Sequence, residues 1–131
     1  MTGTDLRASA LAQFPNVYII LRENEYHVPK IDEVQKLMKE TFIEQYQYVV
    51  DKFDCDDFAL IFDAFCKQQK YFDNKPKPDA IGQVYGIFPD FSPEFHARNI
   101  ALCEDGWWLL EAQTDETRRV NAKDSVSILW I

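Results

Sequence analysis

At 131 residues, 47% of them hydrophobic and 15% aromatic, the chain has enough apolar material for one core and needs no staple to fold. Its 22 acidic residues against 14 basic ones leave a formal charge of −8, which excludes a nucleic-acid backbone or an anionic membrane as partner, because like charges repel. No run approaches the ~18 apolar residues of a membrane span, and the start, MTGTDLRASALAQFP, lacks the basic and apolar regions of a signal peptide. The expectation is a single domain over 1–131 in the cytoplasm, of open oligomeric state, with its three cysteines reduced.

Residues 1–15 read as a short helix or a loose arm. VYIILRE (17–23) is β-rich, and YHVP (26–29) closes that element at Pro29. From Ile31 the apolar positions Val34, Leu37, Met38 and Phe42 recur at helical spacing. Asp32 and Glu33 lie in the first turn, where the helix dipole favours them. QYQYVVDK (45–52) leads to FDCDDFALIFDAFC (53–66). There Asp54 is a natural N-cap, with Asp57 three residues on in the manner of a capping box. The helix from 55 to about 70 is apolar over most of its circumference and predicts a buried, central element. DNKPKPD (73–79) is a loop. AIGQVYGIF (80–88), FHARNIALC (95–103), WWLLEAQT (107–114) and VSILWI (126–131) read as antiparallel strands separated by PDFSPE and EDG turns. Helices ahead of strands predict an α+β domain with a central buried helix packed on a small antiparallel sheet.

Cys55 poses the chemical question. A helix start stabilises a thiolate through its unpaired N–H groups, yet Asp54, Asp56 and Asp57 oppose ionisation. Cys66 and Cys103 sit in apolar surroundings and read as structural; the three spacings match no zinc pattern. A nucleophilic cysteine needs a base, and the two histidines are His27 and His96. His96, at the start of a later strand, is the better placed, while His27 reads as structural or exposed. If Asp105 and Gly106 form the following turn, His96 lies opposite Asp115, and Glu111 and Gln113 share its face as groups that could orient the imidazole. Arg98 competes for Glu111 as a salt-bridge partner across the same hairpin. Trp107 shares that face too, and Trp108 and Leu110 point to the core.

DCDDFA (54–59), HARN (96–99) and WWLLEAQT (107–114) resemble the papain-like cysteine peptidase domain at the C-terminus of certain fungal ricin-type agglutinins, and related small bacterial and phage proteins. The resemblance spans roughly residues 26–115 and departs at Ala112, where a proline is usual. It implies a papain-like, transglutaminase-like fold with Cys55 as nucleophile, His96 as base and Glu111 as orienting carboxylate, Gln113 standing as the second candidate. Oxyanion donors would be the Cys55 N–H with Gln47 or Tyr48. The family's calcium dependence gives Asp56 and Asp57 a role as metal ligands, although the chemistry itself requires no cofactor. The implied function is a cysteine hydrolase acting on a peptide or other amide substrate. The alternatives are transglutaminase-like acyl transfer, or a non-catalytic binding or assembly module.

Overall fold

The computed structural model describes residues 1–43 and 45–131. Helix α1 spans Gly3–Gln13 and is a formed helix rather than an arm, capped by Thr2, whose Oγ1 accepts the Asp5 N–H at 3.1 Å. Strand β1 is Tyr18–Ile20 and helix α2 is Ile31–Glu40. Glu33 starts α2 by accepting the Lys30 N–H at 2.8 Å. A left-handed Phe42 (φ 55°) stops the helical path and turns the chain into a 3-10 turn at Ile43–Gln45. Helix α3 is Cys55–Phe72, and the strands β2 Ile81–Ile87, β3 Phe95–Cys103, β4 Gly106–Glu111, β5 Glu116–Arg119 and β6 Ser125–Trp130 follow.

All six strands form one sheet in the order β1-β6-β2-β3-β4-β5. β1 runs parallel to β6, pairing Tyr18 with Ile128 and Ile20 with Trp130, and the other neighbours are antiparallel. The sheet has an apolar cluster on each side. Leu6 and Ala10 of α1 pack with Val84, Ile100, Leu109 and Leu129 on one face. Val34 and Met38 of α2 and Phe58, Phe62 and Cys66 of α3 pack with Ile81, Ala101 and Leu110 on the other. The strict alternation of strand side chains makes this division, so β3 and β4 are buried on both faces and carry few polar positions. Asn99 ties α3 to the sheet, its Nδ2 donating to Ala59 O at 2.8 Å and Gly82 O at 3.1 Å.

The papain-like expectation, a small antiparallel sheet around a central buried helix, is corrected. The sheet is six strands wide and mixed, and three α-helices accompany it. The extra width comes from β1, recruited beside the last strand, and from β5, a polar ETRR segment without apolar alternation. Nor is α3 buried all round: Leu60, Ile61, Tyr71 and Phe72 are exposed. The β3–β4 turn is Glu104–Asp105, since Cys103 pairs with Gly106, not Asp105–Gly106. That register carries Arg98 into line with Glu111 across the hairpin, where the later turn would have set Ile100. β4 ends at Glu111, which pairs with Glu116, so Gln113 stands in a turn and not on a strand.

Candidate functional site

The site is built where the N-terminus of α3 meets the start of β3. Phe53 packs on Tyr46 and Phe58, which seats the loop before α3 against the helix. The Asp54 N–H donates to Asp57 Oδ2 at 3.1 Å, the half of a capping box expected from the spacing. Cys55 is thereby held in the first helical turn, half-buried, and its Sγ accepts the Ala97 N–H of β3 at 3.5 Å. Burial pushes the thiol above its ordinary pKa, and Asp54 and Asp56 push the same way. The N–H groups of Ala97 and Asp56 pull against them.

The structure brings Cys55 to the residue beside His96 without joining the two by a hydrogen bond among the described residues. Both ring nitrogens of His96 are buried and unpartnered, and the ring stands edge-on to Phe91 with centroids 4.8 Å apart. Glu111 is buried, and its Oε2 lies 3.4 Å from Arg98 Nε while its Oε1 accepts the Gln113 N–H at 3.2 Å. Burial raises the Glu111 pKa, opposed by the Gln113 N–H and by the charges of Arg98 and His96. Trp107, on the Glu111 face of β4, is a core residue whose Nε1 donates to Ser9 of α1 at 3.1 Å. Arg98 also reaches Asp90 and lies over Phe88 and Phe91. Arg118 grips Asp90 and Asp124 together, holding the Asp90 carboxyl down at about 2, chiefly through its hydrogen bond. The β2–β3 loop that carries Phe91 is thus clamped over His96.

Tyr48 lies close enough to Cys55 and Asp54 for their charges to raise its hydroxyl pKa, after burial as the larger cause. Gln47 is exposed and has no hydrogen bond to the thiol region among the described residues. Asp54, Asp56 and Asp57 can bring one carboxylate oxygen each within 4.8 Å of one another. Asp56 raises the Asp54 pKa through a hydrogen bond, the mark of two carboxyls crowded together. This all-oxygen donor set fits a hard divalent cation such as Ca²⁺, although one Asp57 oxygen is already engaged by the Asp54 N–H. His27 stands at the far end of α3, 3.8 Å from Asp79. Sequence reasoning missed Phe91 and the Asp90–Arg118 clamp because PDFSPE carries only turn signals.

No protein-family model and no curated protein sequence matches the chain. Solved structures do. A chain of PSL1a, solved as its complex with E64, superposes with a TM-score of 0.86 at 18% identity, covering 100% of this chain and 51% of that one. Polyporus squamosus lectin, solved bound to the human-type influenza-binding epitope Neu5Acα2-6Galβ1-4GlcNAc, gives 0.82 at 18%, covering 100% and 49%. The chain thus spans about half the length of these proteins, and what it shares with that part of each is its fold.

The peptidase side of the resemblance is corrected by this finding: the architecture is shared with lectin chains and not with a papain-like peptidase. The cysteine-hydrolase reading, with its peptide or amide substrate, falls with it. The geometry gives physical reasons. Among the described residues Cys55 lacks a hydrogen-bonded base, its thiol is disfavoured as thiolate, and Glu111 is engaged by Arg98.

Proposed function

We propose that the chain is a carbohydrate-binding module whose ligand sits at the junction of α3 and β3. One observation carries the reading: the two buried, unpartnered nitrogens of His96. A neutral imidazole offers one donor and one acceptor, and leaving both unmet in a folded protein is costly. A sugar hydroxyl both donates and accepts, so vicinal hydroxyls would satisfy the ring. Phe91 stands edge-on against the ring, and Tyr48 and Asp56 lie exposed near Cys55, supplying apolar faces and an acceptor of the kind sugar recognition requires. The lectin fold and the glycan bound to Polyporus squamosus lectin support the same class. A net charge of −8 favours a neutral sugar over a sialylated one.

Calorimetric titration with Galβ1-4GlcNAc and with its α2-6-sialylated form tests this. The neutral disaccharide should bind more tightly, and His96→Phe should abolish the heat. Absence of heat with either sugar sinks the reading.

The thiol favours a second reading, in which Cys55 is the attachment point for an electrophilic small molecule. Its Sγ is at a helix start and half-buried, and PSL1a was solved with E64. With an epoxide such as E64, the thiolate sulfur bonds to a ring carbon, the C–O bond breaks and the oxygen takes a proton. The thiol proton would pass to solvent, since Glu111 is held by Arg98 and neither it nor Gln113 hydrogen-bonds His96, and Tyr48 or Gln47 would be donors to the ligand. Ca²⁺ held by Asp56 and Asp57 would offset the negative charge that opposes the thiolate. Intact-mass measurement after incubation with E64 should show one adduct that Cys55→Ala removes; an unmodified parent protein refutes it.

A further inference from the structure

A cavity of about 350 Å³ lies between α2 and the last turns of α3, at the opposite end of that helix from Cys55. Buried groups make its floor: Cys66 and Lys70 of α3, Pro29, and Asp79 ahead of β2. The Lys70 ammonium stands 2.5 Å from Asp79 Oδ1 and meets no other acceptor among the described residues, so it keeps N–H groups to offer. The same Asp79 oxygen lies 3.8 Å from His27 Nε2. The exposed rim carries both signs of charge, and part of it is already engaged. Glu33 accepts the Lys30 N–H at 2.8 Å, and Glu40 lies 3.9 Å from Lys36. Asp73 and Lys75, by contrast, have no ion-pair partner among the described residues and do not pair with each other.

We propose that this cavity binds a free α-amino acid with an apolar side chain. The argument rests first on charge. The remaining donors of Lys70, with Lys75 on the same cavity, suit a carboxylate, and Asp73 suits an ammonium. A ligand that carries both charges meets both needs. A simple anion would face the carboxylates of the rim and a chain of net charge −8. A divalent cation is no better served, because the three close metal-ligating side chains among the described residues are Asp54, Asp56 and Asp57, at the other end of α3. The second argument is the lining. Pro29, Leu37 and Cys66 give the cavity an apolar part, and burial holds the Cys66 thiol neutral by pushing its pKa well up. Those groups would cover an aliphatic side chain. The third is size. The volume stands near the lower end of the ~300–1,000 Å³ of small-molecule pockets, which suits one amino acid better than a longer ligand.

Saturation-transfer NMR titration of the parent chain with L-leucine tests the proposal. Leucine should saturate a single site. Its two half-ligands, 4-methylpentanoate without the ammonium and 3-methylbutylamine without the carboxylate, should bind at least about tenfold more weakly. Asp73→Asn should weaken leucine binding about tenfold and leave 4-methylpentanoate unchanged. Lys75→Gln should weaken leucine and leave 3-methylbutylamine unchanged. Both side chains are exposed, so neither substitution should move the urea midpoint. His96→Phe should bind leucine as the parent does, which keeps this result separate from the proposed sugar site. No saturation at millimolar leucine overturns the proposal, and so does a half-ligand that binds as well as leucine. Galβ1-4GlcNAc that displaces leucine overturns it in favour of a sugar in this cavity.

Discussion

The two ends of α3 treat charge in opposite ways. At the C-terminal end Lys70 and Asp79 are both buried and paired at 2.5 Å, with His27 nearby, beside a cavity of about 350 Å³. At the N-terminal end Asp54, Asp56 and Asp57 crowd together with like charge around a half-buried thiol, and His96 has no hydrogen-bond partner among the described residues. One end has opposite charges matched inside the protein. The other keeps polar groups unmatched where a ligand or cation could meet them, the pattern of a site rather than of a structural brace.

The largest effect should come from breaking the matched end. Asp79→Ala leaves the Lys70 ammonium buried and alone, and the chain should lose about 3–5 kcal/mol in urea unfolding. Replacing both, Lys70→Met with Asp79→Leu, should restore most of that loss, because the pair's desolvation disappears with it. At the unmatched end, His96→Phe should cost no stability, and its removal of two unmet polar atoms should leave the urea midpoint equal or higher. Binding of the neutral disaccharide should fall at least about tenfold, equivalent to ~1.4 kcal/mol.

The Asp90–Arg118 clamp over His96 is a pH probe. The Asp90 pKa is depressed from 3.8 to about 2, so its contribution to stability is complete above about pH 4 and is lost as pH falls towards 2. Asp90→Asn should flatten that part of the acid-unfolding curve relative to the parent. A smaller effect is expected from Asp56→Asn, which removes a charge that raises the Cys55 pKa and should speed its alkylation near pH 8 a few-fold. Cys66 and Cys103 are buried with raised pKa values, Cys103 at about 12, and should react more slowly throughout.

Much of the fold was legible in the chain because its elements obey local rules. α2 follows from its helical period and acidic first turn, α3 from the capping box at Asp54 and Asp57, and β3 from the apolar run IALC at 100–103. β5 was not legible, because Glu116–Arg119 is held by its pairing with β4 and by no apolar pattern of its own. The hairpin register depended on a turn one residue earlier than the Asp-Gly pair suggests, which set Arg98 against Glu111 and left Gln113 in a turn. Within the site, Cys55 at a helix start was readable from capping chemistry. The lack of a partner on His96 was not, since it depends on where Phe91 and Arg98 come to rest.

By itself the sequence determined the local elements, the acidic surface and the position of a thiol in the first turn of a helix among carboxylates. Those depend on spacing, composition and capping, which act between residues close in the chain. Only the tertiary structure decided the six-stranded width of the sheet, the capture of Glu111 by Arg98, and the bare face of β1 and β6. Each of those joins segments far apart in the chain, such as Tyr18 with Ile128, through backbone pairing and packing that no local pattern encodes.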